Sequence, residues 1–418
     1  MKKYFFYLLL AGILLQSCSK DLGTMEVTYT KATAIYGDLE SVRNTPLIGE
    51  TMEIENPGKI FVAEDFLLIG EEGRGIHVMD NSDPENPISS SFLNIPGNRE
   101  FYVQGSILYA ESYYDMLKID LSNINQPQLD TRIEAALGEV LKNDRDETLI
   151  GFDFEIVTEK VSVDHPIAQK IWGDQNYYFY DYTQRIIPPS AVPASFAGSS
   201  SNAIGTVNRI AFAEDHVYLI SRSKLTTFSD QGSFELLSSE QVGRDMETIY
   251  PDGSHLFVGT RNSMLVFDIA SPANPNLVSS FFHATSCDPV YPVGDIAYLT
   301  LRTGDFGNCP GDINALVVLD VSNISTPVEI REIEMASPFG MTLIEDYLYV
   351  GEGENGLKIF DASEREHPKL EKADGEVEAY DIIRHPNRND LILIAGTNGL
   401  QQYKIDGSDL NLLSEVSY

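Results

Sequence analysis

The chain is short of positive charge. It has 29 lysines and arginines against 63 aspartates and glutamates, a formal net charge of −34 over 418 residues. No basic stripe is available to displace phosphate counterions, which excludes nucleic acid as a partner. Electrostatic docking on anionic lipid is excluded on the same ground. Cysteine (three) and tryptophan (one) are scarce, and the seven histidines are spread out. His77, His165, His216, His255, His283, His367 and His385 are never closer than 18 residues, so H-x-H and H-E-x-x-H metal motifs are absent. A G-x-S-x-G elbow, a Walker loop and an EF-hand loop are also missing. After residue 17 no apolar run approaches the roughly 20 residues of a membrane helix. Sustained 3.6-residue apolar periodicity is missing there too. What remains is an apolar content of 43%, enough for a real core, on a length that suits two to four domains or one large repeat fold.

The N-terminus is the one strongly apolar stretch. Lys2 and Lys3 precede a twelve-residue run, Tyr4 to Leu15, too short to span and suited to a signal-peptide core. The run closes on Leu15-Gln16-Ser17-Cys18, which resembles a bacterial lipobox, with Gln16 in place of the usual small residue. The resemblance implies cleavage before Cys18 and lipid on its sulfur, where each buried methylene contributes about 0.8 kcal/mol. Ordinary secretory cleavage beside an incidental cysteine is the alternative. The expected plan is a signal peptide over 1–17, a lipidated tether over 18–28 and one domain over 29–418. Ser19, not Asp, follows the cysteine. By analogy with the best-known sorting rule, that places the protein at the outer membrane, facing the periplasm or the surface. Cys287 and Cys309 are left as an even pair in an oxidising compartment and are read as a disulfide. The 21 residues between them would make it worth about 3 kcal/mol. Two free thiols or a metal pair is the other reading.

An internal repeat organises the rest. A short apolar strand, a Gly-rich turn and a second apolar strand ending in Asp recur, followed by a Ser/Asn/Pro segment. The copies end at Asp80, Asp120, Asp268, Asp320 and Asp361, with degenerate ones at Asp230 and Asp406. The spacings are 40, 110, 38, 52, 41 and 45 residues. The gap of 52 holds the two late cysteines and the gap of 110 holds an insertion, 139–206. Each unit reads as four short strands. In the clearest one these are Gly340 to Glu345, Tyr347 to Gly351, Leu357 to Asp361 and Lys369 to Ala373. Four strands per 40–45 residues predict an all-β β-propeller. Seven blades are counted, at about 60–97, 98–138, 207–243, 244–285, 286–335, 336–375 and 376–418, or eight if 139–206 forms one. Residues 29–57 look like part of an extra unit, in which Thr45 to Gly49 resembles an outer strand that could pair with the last blade, although Asn411 to Val416 already reads as that blade's outer strand. The repeated Asp can accept N–H groups two residues on and cap the turn. A ring of ligand carboxylates is the functional alternative.

The repeated Leu-Val-x-x-Asp strand resembles the LVIVD-repeat family of exported bacterial and archaeal proteins. It stands here as Leu265-Val266-Phe267-Asp268, Leu316 to Asp320 and Leu357 to Asp361. Ile95-Pro96-Gly97-Asn98 with Leu108 to Tyr113, and Cys287-Asp288-Pro289-Val290 with Ala297 to Arg302, are similar to its lipoprotein members. The resemblance covers 60–418 apart from 139–206. It implies a propeller fold and a lipoprotein, and little about activity.

Chemistry is sparse. Gly351-Glu352-Gly353-Glu354-Asn355-Gly356 matches G-x-G-x-x-G, but a strand follows it rather than a helix, so it is a hairpin turn. The insertion holds Trp172 and the run Tyr177, Tyr178, Phe179, Tyr180, which could stack on sugars or anchor a partner. The alternative is a small satellite core. Tyr113, Tyr114 and Asp115 on a turn of the second unit form a second candidate, against plain turn packing. No catalytic residue, metal or cofactor is expected beyond loosely bound Ca²⁺ on acidic turns. A sialidase Asp box and the repeated tryptophans of quinoprotein propellers are absent. The leading expectation is therefore a non-enzymatic, lipid-anchored binding or scaffolding module with an envelope protein or glycan as ligand. A propeller enzyme of glycan or lactone type, with its site at the central channel, and a subunit of an envelope assembly are the alternatives.

Overall fold

The computed structural model describes residues 23–169, 177–180, 185–187, 209–221, 223–243, 246–260, 262–282, 289–303 and 313–418. The chain divides into two compact units, one of 35–151 with 192–418 and one of 1–34 with 152–191.

The larger unit contains seven sheets of consecutive antiparallel strands among the described residues. They are blade 1 (57–94), blade 2 (101–133), blade 3 (210–241), blade 4 (246–282), blade 5 (290–334), blade 6 (341–374) and blade 7 (381–417). Blade 6 follows the expected pattern closely, with strands Met341–Ile344, Tyr347–Gly351, Leu357–Asp361 and Lys369–Asp374. Second and third strands are apolar on both faces, as in Leu67, Leu68 and Ile69, because each blade is covered on both sides. Fourth strands face mostly solvent, as in Val328–Glu334, where only Ile330 and Ile333 are half-buried. Every fourth strand carries a bulge at the same register, an extra residue such as Ser90, Val278 or Glu371. Such a bulge twists the outer edge and blunts it against pairing with another chain.

Apolar clusters join each blade to the next and join blade 7 back to blade 1, so the ring is closed. Of the two ways left open for the outer-strand fragment at 45–49, pairing with the last blade does not occur. Ile48–Gly49 pairs instead with Ile88–Asn94 as a fifth strand of blade 1. Blade 7 already has its own fourth strand, Asp409–Ser417, and offers no vacant place. The seam is closed by side chains. Gln402 and Asn81, both buried, exchange two amide hydrogen bonds of 2.7 and 2.9 Å. Ser414 Oγ donates to the Pro84 carbonyl at 2.6 Å. Gln402→Leu leaves the Asn81 amide buried without its partner. It is expected to destabilise the ring by about 1–3 kcal/mol, with part recovered in the Asn81→Leu/Gln402→Leu double variant, as read from urea midpoints.

The repeated aspartates are turn caps. Oδ1 of Asp80, Asp120, Asp268, Asp320 and Asp361 accepts the N–H two residues on at 2.7–3.0 Å. Hydrogen bonds from the Ser82, Ser122, Ser322 and Ser363 backbone and hydroxyl groups hold four of these carboxyls below their ordinary range. Asp230 differs from this expectation. Ser229 occupies the capping position, with Oγ accepting from the Gln231 N–H. Asp230 instead reaches back to blade 2, where Lys118 Nζ lies 2.6 Å away and the Tyr109 hydroxyl donates to it.

The insertion forms no eighth blade among the described residues. Thr148–Ser162, Tyr177–Tyr180 and Ile186–Ile187 share a sheet with Thr24–Gly37, a strand from before blade 1. Thr30 to Thr33 pair with Tyr177 to Tyr180 in parallel, a pattern no blade uses. The segment expected as a tether is thus a strand from Thr24 onward.

Candidate functional site

Each blade's first strand runs along the inside of the ring. The face where first strands begin and second strands end is called here the upper face. At one register position the first strands contribute Phe61, Tyr102, Ala211, Tyr250, Tyr291, Thr342 and Ile383. Blades 1, 2, 4 and 5 therefore set aromatic rings at this level. Phe61 meets Tyr102 edge-on at 5.4 Å, and Tyr250 lies 5.2 Å from Tyr291 with their side chains hydrogen-bonded. The small Ala211 of blade 3 intervenes in chain order between Tyr102 and Tyr250, and these two rings are close enough to interact. Burial pushes both phenols up.

The charged groups lie nearer the upper face. Lys59 of blade 1 and Glu100 of blade 2 form an ion pair of 2.7 Å, both side chains almost fully buried. The Glu111 N–H bonds the Glu100 carbonyl, and the Asn98 amide donates to both residues' carbonyls at 3.0 Å, fixing the two strand ends together. Among the described residues, the buried Asn98 Oδ1 finds no partner. In blades 1, 4 and 6 the position of Glu111 is glycine, as Gly70, Gly259 and Gly351. A carboxyl therefore stands where three other blades have no side chain.

Glu111 is 7% exposed, and its carboxyl is pushed up to about 7. Burial is the main cause and Glu100 adds to it, while Arg209, Arg99 and the Arg99 N–H oppose it. A carboxyl raised in the folded state binds more protons there than in the unfolded chain. Its contribution therefore weakens the fold progressively as pH rises from the ordinary glutamate value of about 4.3 to about 7.

Glu111 faces a recess of about 30 Å³ between blades 2 and 3, lined also by Glu100, Arg209, Ser221 and Lys224, with Leu137, Leu219 and Ile220 as apolar wall. That is room for about two water molecules or one carboxylate-sized group. A larger recess, about 610 Å³, lies on the flank of blade 2 around Arg43, Glu134 and Lys142. Its central cation is already committed to Asp115, Glu134 and Glu40, so it holds no buried group awaiting a partner. Among the described residues no three His, Cys, Asp or Glu side chains converge to hold a metal ion.

Three stretches, 243–282, 309–334 and 340–373, match the LVIVD repeat model. The chain carries LVIVD repeats. They coincide with blade 4, the second half of blade 5 and blade 6, so one LVIVD repeat corresponds to blade-forming sequence. No curated protein sequence matches the chain. Among solved structures it is similar to the periplasmic gluconolactonase PpgL of Pseudomonas aeruginosa, at 12% identity and TM-score 0.50, over 86% of this chain and 95% of that one. It is also similar to the computationally designed Ika8 protein, at 10% identity and TM-score 0.50, over 89% and 92%. At these identities the likeness concerns the fold alone.

The residues singled out from sequence fall elsewhere. Cys18, Trp172, Cys287 and Cys309 lie outside the described residues, as does the Tyr177 side chain. Tyr178 and Tyr180 are buried with Tyr29 and Ile167 in a small core of the second unit. The Tyr29 and Tyr178 rings meet edge-on at 5.4 Å, and the Tyr29 hydroxyl is shared with Tyr180 and Glu159. These two tyrosines make a satellite core, not a stacking platform. Tyr114 is buried with its hydroxyl on the Leu149 carbonyl, and Asp115 is fully buried under two arginines. Tyr113 covers Gly97, where a Cβ would lie 2.5 Å from its ring. That trio packs the turn rather than facing a ligand. The G-x-G-x-x-G stretch joins two strands of blade 6, and Glu352 within it accepts the Ala336 N–H and pairs with Lys358.

Proposed function

We propose that the protein is an exported propeller, tethered by lipid on Cys18, that acts as a non-enzymatic binding module through the upper recess between blades 2 and 3. The observation that carries this reading is Glu111, a buried carboxyl on a strand position that is glycine in three other blades, facing Arg209 across a recess. Structural ion pairs are abundant elsewhere in this ring, but there each carboxylate contacts its cation directly. Groups held apart around a cleft are the usual mark of a ligand site. A disulfide between Cys287 and Cys309 belongs to the same proposal, since export exposes both to oxidation.

The test is affinity purification of the lipidated protein from solubilised envelope, for wild type and for Glu111→Gly and Arg209→Ala. Loss of the captured ligand or partner in both variants, with thermal stability retained, supports the recess. Capture unchanged by both but lost on deleting 152–191 moves the site to the smaller unit. A Cys18→Ala protein that still sediments with membranes removes the lipid tether as sole attachment.

A second reading, an enzyme acting on a lactone or glycan, is favoured by one feature. A cleft carboxyl that titrates near neutrality suits general acid–base chemistry. It requires turnover of such substrates by wild type and its loss in Glu111→Gln.

A further inference from the structure

We infer that the recess between blades 2 and 3 receives an anionic oxygen group, a carboxylate or a phosphate, carried by a ligand whose remainder stays above the upper face. This rests on the recess being the binding site. Acidic residues outnumber basic ones 63 to 29, so carboxylates are at hand for any cation taken out of water. The buried cations conform, since Lys59 holds Glu100, Arg43 holds Asp115, Lys118 holds Asp230 and Lys358 holds Glu352. Arg99 and Arg209, both half-buried, do not. Their side chains make no hydrogen bond or ion pair among the described residues, yet Arg209 and Lys224 line one small recess and Arg99 and Arg209 act together on the carboxyl that closes it.

The donor set matches an oxyanion. Arg209 offers a planar fork and Lys224 a mobile ammonium. Glu111 in its neutral form offers an O–H. The apolar wall formed by Leu219 and its neighbours lowers the local dielectric and strengthens each charge-assisted bond. A cationic ligand would meet Arg209 and Lys224, and a neutral one would leave the half-buried Arg209 without a counter-charge. The recess has room for the anionic group alone, so the rest of the ligand must lie outside.

Glu111 makes the binding depend on pH. It is faced by Glu100 on the adjoining strand, by Arg99 and Arg209 and, through Glu100, by Lys59 of blade 1. When Glu111 ionises it loses its donor and repels the anion. Affinity therefore falls as pH rises through about 7.

The experiment is a calorimetric titration of the mature chain with inorganic phosphate, galacturonate and the neutral methyl galactoside, at pH values one unit either side of about 7. Wild type is expected to bind phosphate or galacturonate more tightly at the lower pH and to ignore the neutral sugar. Arg209→Ala should weaken binding roughly tenfold, the size of one lost charge-assisted hydrogen bond. Lys224→Ala, on an exposed side chain, is the second variant and should weaken it in the same sense. Phosphate alone, or galacturonate alone, identifies which oxyanion is recognised. Binding of the neutral sugar with equal affinity, abolished by Glu111→Gly, overturns the anion inference and leaves the recess as the site. Anion binding indifferent to Arg209→Ala and Lys224→Ala, or no binding by any probe, overturns the inference. If envelope capture is also unchanged by Glu111→Gly, the recess falls with it.

Discussion

Asp115→Ala is expected to destabilise the propeller by about 3–5 kcal/mol, the usual range for removing one partner from a buried ion pair. Asp115 opens the third strand of blade 2 and is fully buried. Its two oxygens accept from Arg43 Nε at 2.8 Å and Nη2 at 2.9 Å, from Arg132 Nη1 at 3.1 Å and from the Ala135 N–H at 3.0 Å. Four donors on one carboxylate leave no lone pair idle. Removing it strands two guanidinium groups whose side chains are only 12% and 17% exposed. Arg43 keeps Glu134 at 2.8 Å, which limits the loss without replacing the bidentate contact. The effect should reach further than the strand. Arg43 ends the short helix Leu39–Arg43, capped by Asp38, so the same carboxylate pins that helix to blade 2. Asp115→Ala should therefore lower the urea midpoint and also speed amide exchange over 39–45. Asp115→Asn keeps the shape and two acceptor lone pairs and should fall between. A midpoint unchanged in Asp115→Ala would mean that Glu134 alone satisfies both arginines.

Lys59→Met is the second large effect, again about 3–5 kcal/mol. It removes the cation 2.7 Å from Glu100 and leaves that carboxylate buried at the junction of blades 1 and 2, with the Glu111 carboxyl on the facing strand. Lys59→Met/Glu100→Leu removes both charges and should recover most of the loss, because an apolar pair needs no desolvation of ions. The coupling read from the double-mutant cycle is expected to exceed about 2 kcal/mol, far above that of an exposed pair. Additive effects of the two substitutions would show that the pair contributes no specific interaction. Because Glu100 raises the Glu111 carboxyl, the double variant should also bring Glu111 down from about 7, measurable by carboxyl NMR titration.

Much of the architecture was legible without coordinates. Tyr347–Gly351 and Leu357–Asp361 were bounded to the residue, because Gly and Asp mark strand ends through local backbone chemistry. The turn-capping role of Asp320 or Asp361 is local too, since the accepted N–H lies two residues away. The candidate site was not legible in the same way. Glu111 is one carboxylate among 63 acidic residues, and Tyr102, Tyr250 and Tyr291 sit in strands that read as ordinary core. A signal existed, visible only with blades aligned strand by strand. Gly70, Gly259 and Gly351 then stand against Glu111, and Phe61, Tyr102, Tyr250 and Tyr291 fall in one column. The aromatic run of the insertion drew attention instead because tyrosines adjacent in sequence are conspicuous, whereas Tyr178 and Tyr180 are spent on packing.

By itself the sequence determined an all-β repeat, the inner strand boundaries of its clearest unit, its turn caps and its acidity, since each of these depends on residue type and spacing over a few positions. Tertiary structure alone decided that the ring closes through Gln402 and Asn81, which are 321 residues apart. It also decided that Ile48–Gly49 joins blade 1, that Asp230 spans two blades, and that Glu111 stands buried opposite an unpaired arginine. A side chain's burial and its partners are set by neighbours distant in the chain, and no local pattern encodes them.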